Sequence, residues 1–171
     1  MKFEVDVSGQ DIFLKDYVIC ICSEEEKIIK GFKFNQSLIN DLVSNWKKNK
    51  YKYGVSKKQL GLLKVRIYCI IIYYLFKSIN PKPERISLTI CRDFAWHKND
   101  INQNLKYFLG KILSIEIGNP LHQKLPKKSK AHWYAYLMLK DTENLLSTYI
   151  NISLEDIEEY LVPSKGHRPK P

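Results

Sequence analysis

The chain has 171 residues, 44% of them hydrophobic and 27% charged, which excludes a wholly disordered chain and predicts one domain with a genuine core. Its 28 Lys and Arg outnumber 18 Asp and Glu, giving a net charge of +10 and a pI of about 9.3. That charge indicates a polyanionic partner, nucleic acid first of all, with solubility alone as the alternative interpretation.

Three short strands are predicted at the start of the chain. KFEVDVS at 2–8 alternates apolar with polar residues, and YVICIC at 17–22 and IIKGFKF at 28–34 are rich in β-branched and aromatic types. The turn segment SEEEK at 23–27 joins the second and third strands closely. Short connections of this kind predict an antiparallel meander.

Two helices follow the meander. Asn35 and Ser56 are suitable N-caps, and the second helix is predicted from about 57 to 79. Residues 60–76 within it form the most apolar stretch of the chain. Two basic residues interrupt that stretch, so we predict a buried core helix and not a membrane span.

The second half alternates strands with helices. Residues 85–92 predict a fourth strand ending at Asp93, and 115–117 a short fifth strand. Asn99 or Asp100 is the predicted cap of a helix that runs to about Leu113.

A basic loop at 119–130 leads to the last long helix, predicted to begin near Ser129. In that helix the aromatic residues Trp133, Tyr134 and Tyr136 are predicted to belong to the core. A small acidic helix at roughly 153–161 closes the fold. We therefore expect a single domain over 1–162 and a flexible basic tail over 163–171.

The four cysteines, Cys20, Cys22, Cys69 and Cys91, lack zinc-finger spacing. We predict buried structural thiols of a reduced protein. Acidic residues interrupt any apolar signal segment at the N-terminus. These features together predict a cytoplasmic location.

The element order, with VDVSG on the first strand and TICRD at the end of the fourth, resembles the ribonuclease H-like superfamily over roughly residues 2–145. This superfamily includes RNase H, retroviral integrases, RuvC-type resolvases and the Piwi domain. The resemblance implies an α/β fold with an RNase H-like mixed five-stranded sheet, an antiparallel three-strand meander plus two further strands, and helices on both faces. In that fold the first and fourth strands are neighbours.

The resemblance also implies a catalytic metal site. VDVSG supplies Asp6, TICRD supplies Asp93, and SKAHWYA supplies His132 near the start of the last helix. Asp6 would bridge two Mg²⁺ or Mn²⁺ ions, with Asp93 on one ion and His132 on the other. The chain departs from RNase H itself at 57–79, which contains no Asp or Glu.

Each of these residues has a structural alternative. Asp6 is otherwise an exposed strand acid or a turn cap, Asp93 a turn residue or an ion-pair partner of a nearby arginine, and His132 a first-turn residue bonded to backbone. The leading hypothesis is therefore a metal-dependent nuclease acting on DNA or RNA. The alternatives are a non-catalytic nucleic-acid-binding module on the same fold and a small interaction protein.

Two basic segments are candidates for phosphate binding, because lysines neutralise phosphates and neighbouring rings stack on bases. The first combines Lys47, Lys48, Lys50 and Lys52 with the rings of Trp46, Tyr51 and Tyr53. The second contains Lys124, Lys127, Lys128 and Lys130 and immediately precedes His132.

Overall fold

The computed structural model describes residues 1–163, apart from the side chains of 93–95, so the predicted tail beyond residue 163 lies outside the described residues. The strands are β1 (Lys2–Ser8), β2 (Val18–Ser23), β3 (Ile29–Lys33), β4 (Arg85–Ile90), β5 (Glu116–Ile117) and β6 (Leu121–His122). The helices are α1 (Gln36–Lys47), α2 (Lys57–Lys77), α3 (Lys98–Leu105), α4 (Lys130–Lys140) and α5 (Leu154–Glu158). A 3₁₀ turn, Arg92–His97, precedes α3, and a π-helical segment, Lys106–Ile112, follows it.

The strands form one mixed sheet in the order β3-β2-β1-β4-β5, with β6 also paired to β4. β1, β2 and β3 pair antiparallel, which confirms the predicted meander, whereas β4 runs parallel to β1. The predicted count of five strands is wrong by one. Leu121–His122, within the predicted basic loop, pairs with Thr89–Ile90. A two-residue strand is too short to show an alternating pattern.

Helices cover both faces of the sheet. Phe3, Val5 and Ile21 point to the face covered by α1 and α2, where the ring of Phe3 lies 4.9 Å from that of Phe76. On the opposite face, Val18 and Cys20 pack against Ala135 and Met138 of α4. Alternation along each strand therefore separates a large core from a smaller one beneath α4.

Both predicted caps of the first two helices are confirmed. The Asn35 side chain accepts a hydrogen bond from the backbone N–H of Leu38, and that of Ser56 from Gln59. By length and composition alone α2 qualifies as a membrane span, the one such helix among the described residues. Twelve of its 21 residues are buried inside the fold, as the core-helix prediction expects.

The segment after β4 differs from the prediction. The strand ends at Ile90, and the chain enters the 3₁₀ turn at Arg92. Neither Asn99 nor Asp100 caps a helix: both lie inside α3, and the carboxylate of Asp100 contacts Nδ1 of His97 at 3.0 Å. The helical structure starts earlier because the 3₁₀ turn leads directly into α3.

The aromatic residues of α4 are also placed differently. Trp133 and Tyr136 are exposed, and Tyr134 is half-buried. The residues that face the sheet are Ala131, Ala135 and Met138. α4 begins after Ser129, as predicted, and the small helix α5 begins with a capping box between Ser153 and Asp156.

Candidate active site around Asp6 and His132

Asp6 lies in the middle of the sheet, on the face covered by α4. Its strand has β2 on one side and β4 on the other, and the side chain is 2% exposed. Oδ2 of Asp6 lies 2.8 Å from Nδ1 of His132, in the first turn of α4. A buried carboxylate needs a hydrogen-bonding or charged partner, and the imidazole supplies it. The alternatives of an exposed strand acid or a turn cap are therefore wrong for Asp6.

His132 connects this buried carboxylate to solvent. Its side chain is 58% exposed, although Nδ1 is directed to Asp6. Its backbone N–H donates to Oγ of Ser129 at 3.2 Å. The ring therefore pairs with a residue 126 positions earlier, and only the main chain of His132 takes part in the helix cap.

A second contact fixes the start of α4 on β1. The Ser129 hydroxyl donates to Oε2 of Glu4 at 2.6 Å while it accepts the cap hydrogen bond from His132. Glu4 lies two positions before Asp6 and so faces the same side of the sheet. Our sequence prediction did not include Glu4, although its period-two spacing from Asp6 was the available signal.

The other end of α4 is fixed by close packing on β3. Met138 is fully buried, and a Cβ added to Gly31 would lie 2.2 Å from its Sδ. A Cβ at this position would force the end of the Met138 side chain to move. Glu4, Asp6 and Gly31 thus determine together where α4 and its histidine lie.

Asp93 follows the strand next to Asp6. The parallel register ends with Val5 opposite Ile90, and the N–H of Cys91 donates to the carbonyl of Val5 at 3.0 Å. Continuing the register by one residue brings Cys91 beside Asp6. Asp93 is two residues further on, in the 3₁₀ turn, and its side chain lies outside the described residues. Its participation in a site with Asp6 therefore stays a prediction.

Two thiols contribute to the environment of the acids. Cys20 pairs across the strands with Asp6, and Cys22 with Glu4. Burial, with smaller contributions from Cys22 and Asp6, raises the pKa of the Cys20 thiol far above its usual range. Burial raises the pKa of Cys22 to about 11. Both thiols are protonated at neutral pH, which makes them poor nucleophiles and poor metal ligands.

The described side chains supply oxygen and nitrogen donors, but they do not form a complete set of ligands for a metal ion. Within residues 1–92 and 96–163, no group of three or more His, Cys, Asp or Glu is arranged to hold a metal ion. Asp6 and His132 are two donors in contact. A third donor would have to come from Asp93 or from solvent.

The second basic segment borders this site. A cavity of about 260 Å³ beside β1 is lined by Glu4, Ser129 and Lys128, among other residues. Lys124, Lys127 and Lys128 are exposed and form no ion pair within the part of the chain that the structure describes. Lys130 pairs with Glu26 at 2.9 Å. Three of the four predicted lysines are thus available to an anion.

The first basic segment lies in the other layer, with α1, α2 and α5. Tyr51 is buried and donates to Oε1 of Glu158 at 2.7 Å, while Nζ of Lys50 lies 2.5 Å from Oε2. The expectation that the Tyr51 ring stacks on bases is therefore wrong. Lys47, Lys48 and Lys52 are exposed, but α1 and α2 cover the opposite face of the sheet from Asp6.

Comparison of the chain with protein-family models, with curated proteins and with solved structures finds no match in any of the three.

Proposed function

We propose that this chain is a metal-dependent nuclease of the ribonuclease H-like type, which hydrolyses phosphodiester bonds of DNA or RNA. The observation that carries the proposal is the contact between Asp6 and His132, a buried acid on the central strand and an exposed imidazole 126 residues later. The order β3-β2-β1-β4-β5, with β1 parallel to β4, supports it because it resembles that superfamily.

The donor types suit a hard divalent cation. Carboxylate oxygen is the ligand that Mg²⁺ and Mn²⁺ prefer, and Mn²⁺ also accepts imidazole. Asp6 and His132 would hold the ion, with Asp93 as the proposed third ligand. A bound ion would supply an activated water and stabilise the leaving oxygen.

Other features of the chain would hold the site in place and bind the substrate. Burial keeps the Asp6 carboxylate in one position, and the Glu4–Ser129 hydrogen bond keeps the first turn of α4 beside it. The exposed ring of His132 gives the substrate access to this pair. Lys127 and Lys128, in the exposed loop before α4, would neutralise the phosphates that flank the scissile bond.

A non-catalytic nucleic-acid-binding module is the second candidate. It is favoured by the incomplete donor set among the described side chains and by the lack of any acid in α2. Such a module would use the same lysines and bind without cleaving. Its affinity would fall steeply as salt is raised.

The decisive experiment compares Asp6→Asn and His132→Ala with the wild type on single-stranded, duplex and hybrid substrates in Mn²⁺ or Mg²⁺. Asp41→Asn is the matched control, because Asp41 is an exposed acid of α1 on the other side of the sheet. Circular dichroism checks that each variant folds, and calorimetric titration with Mn²⁺ gives a readout independent of cleavage.

We expect Asp6→Asn to abolish both cleavage and Mn²⁺ binding, with Asp41→Asn unchanged. Cleavage that survives Asp6→Asn would contradict the nuclease assignment. Salt-dependent binding by a wild type that cleaves none of the three substrates would favour the module.

A further inference from the structure

The outward face of α4 carries a stacked pair of aromatic rings beside the candidate site. Trp133 is 54% exposed and Tyr136 is 45% exposed, and their ring centroids lie 6.2 Å apart with an interplanar angle of 30°. The sheet already contacts the helix through Ala131, Ala135 and Met138. The two rings therefore take no part in the packing of α4 on the sheet.

Helix geometry brings the rings, the histidine and a cation into one row. At 100° per residue, His132, Trp133, Tyr136 and Lys140 fall within an arc of about 100° on α4. Along the axis, Tyr136 is about 6 Å and Lys140 about 12 Å from His132. Nζ of Lys140 lies 5.6 Å from the centroid of the Tyr136 ring. We call these four residues the α4 ridge.

The charge around the ridge indicates what covers it. Lys140 lies at one end, and Lys127 and Lys128, which form no ion pair with the described residues, precede the other end, on a chain with a net charge of +10. Rings flanked by cations match the bases and phosphates of a polynucleotide. Bases in a duplex are already stacked on one another, so exposed rings of this kind favour unpaired bases.

We propose that the α4 ridge is a base-stacking platform for a single-stranded segment of nucleic acid that leads into the Asp6–His132 site. Successive bases stack on Trp133 and Tyr136, and Lys140 contacts the backbone that connects them. This inference rests on the proposed function for its direction, because it names the substrate class of the same site. It does not require that the site be catalytic.

The experiment measures binding in EDTA, where no metal-dependent cleavage occurs, by fluorescence anisotropy of labelled oligonucleotides. The probes are a 20-nucleotide oligo(dT), the same strand made abasic throughout its centre, and a duplex of equal length. The variants are Trp133→Ala, Trp133→Phe and Tyr136→Ala. Tyr107→Ala is the matched control, because Tyr107 is a partly exposed ring of the π-helical segment, outside α4.

We expect Trp133→Ala to weaken binding of oligo(dT) by about 5- to 150-fold, the usual effect of losing one stacked base. Trp133→Phe should restore most of the affinity, Tyr107→Ala should leave it unchanged, and the wild type should bind the abasic strand and the duplex more weakly. Equal affinity of Trp133→Ala and the wild type for oligo(dT) would overturn the proposal. Equal affinity of the wild type for the intact and abasic strands would also overturn it.

A protein partner is the competing occupant of such a face. If sedimentation velocity shows that the wild type self-associates, that Trp133→Ala is monomeric and that oligo(dT) does not compete, the ridge is a protein interface and the proposal fails. The two proposals fail separately. A wild type that stacks oligo(dT) but never cleaves it leaves the platform intact and removes the nuclease. Cleavage of single strands that is unaffected by Trp133→Ala supports the nuclease and removes the platform.

Discussion

The position of α4 on the sheet depends on the missing side chain of Gly31, so Gly31→Ala is a direct test of how the site is built. The added Cβ would lie 2.2 Å from Sδ and 2.5 Å from Cε of Met138, which is fully buried against β3. Both distances are shorter than any van der Waals contact. Gly31 lies in a regular strand, so its backbone conformation alone does not exclude alanine.

The expected magnitude follows from this clash. Met138 has rotatable bonds that relieve part of it, but Val18, Cys20 and Ala135 surround the site. We expect Gly31→Ala to lower the free energy of unfolding by about 1–3 kcal/mol, as overpacking of a core usually does. Met138→Ala alone should cost about 2–5 kcal/mol through the cavity it leaves. In the double variant the new methyl group enters that cavity, so its cost should be about 1 kcal/mol or more below the sum.

The wild type, the two single variants and the double variant form a double-mutant cycle, and urea denaturation followed by circular dichroism measures the free energy of unfolding of each. Gly118→Ala is the matched control, because a Cβ at Gly118 would meet no atom within 4 Å. Its effect should stay within about 0.5 kcal/mol. Strict additivity in the cycle, or a Gly31→Ala effect no larger than that of Gly118→Ala, would refute the reasoning.

Three further predictions concern titratable groups. A thiol reagent at pH 8 should label half-buried Cys91 first and the three buried thiols only after unfolding, and Cys91→Ser should remove the early labelling; a uniform rate for all four would contradict this. Burial, with a smaller contribution from Lys98, lowers the pKa of His122 below 6.5, so the unfolded chain takes up the proton first and stability falls as pH drops below about 6.5. Between pH 7 and 5.5, the free energy of unfolding should fall less in His122→Gln than in the wild type. An equal fall in both proteins would exclude the effect. Burial by itself would raise the pKa of Glu158, but hydrogen bonds from Lys50, Tyr51 and Asn45 lower it, so the ionised carboxylate stabilises the fold above pH 4.5 and this stabilisation is lost as pH falls through the lowered pKa. Glu158→Gln should therefore lower the free energy of unfolding by about 1–3 kcal/mol at pH 7 and by less in acid. A cost that does not change with pH would contradict the assignment.

Local patterns in the sequence were sufficient for the meander, for the caps at Asn35 and Ser56, and for the start of α4 near Ser129. Each of these depends on residues that are close in sequence, such as an alternating strand or a cap side chain that accepts a hydrogen bond from the backbone N–H three positions later. The resemblance to the ribonuclease H-like superfamily assigned Asp6 and His132 to one proposed metal site, and the structure places the two side chains in direct contact. No local signal in the sequence links two residues 126 positions apart.

The orientation of α4 could not be predicted, because AHWYAYLMLK is apolar around most of its circumference. A helix of this kind has no unique hydrophobic stripe, and the largest side chains are the natural choice for the core. The sheet selects the narrow face with Ala131 and Ala135 instead, and Met138 fits over Gly31. The choice is made by a residue on β3, more than 100 positions away.

In the connector between α1 and α2, the stacking predicted for Tyr51 was wrong for a similar reason. Lysines interleaved with tyrosines predict nucleic-acid contact only if no acid elsewhere in the fold pairs with them. Glu158, more than 100 residues later, accepts hydrogen bonds from Lys50 and Tyr51 and holds the connector against α5. Composition shows the charge of a segment but not its partner.

Buried Asp6 and half-buried Glu158 differ in how far the fold satisfies their carboxylates. Glu158 accepts hydrogen bonds from three side chains, so its carboxylate is already satisfied and serves the fold. Asp6 is more deeply buried, yet His132, itself exposed, is the one hydrogen-bond partner of its carboxylate among the described residues. Burial of a charge with so few partners costs stability, and acceptor capacity on the carboxylate is left unused. Asp6→Asn should therefore leave the free energy of unfolding unchanged or raise it, whereas Glu158→Gln lowers it. A large loss of stability in Asp6→Asn would mean that this acid, too, is there for the fold.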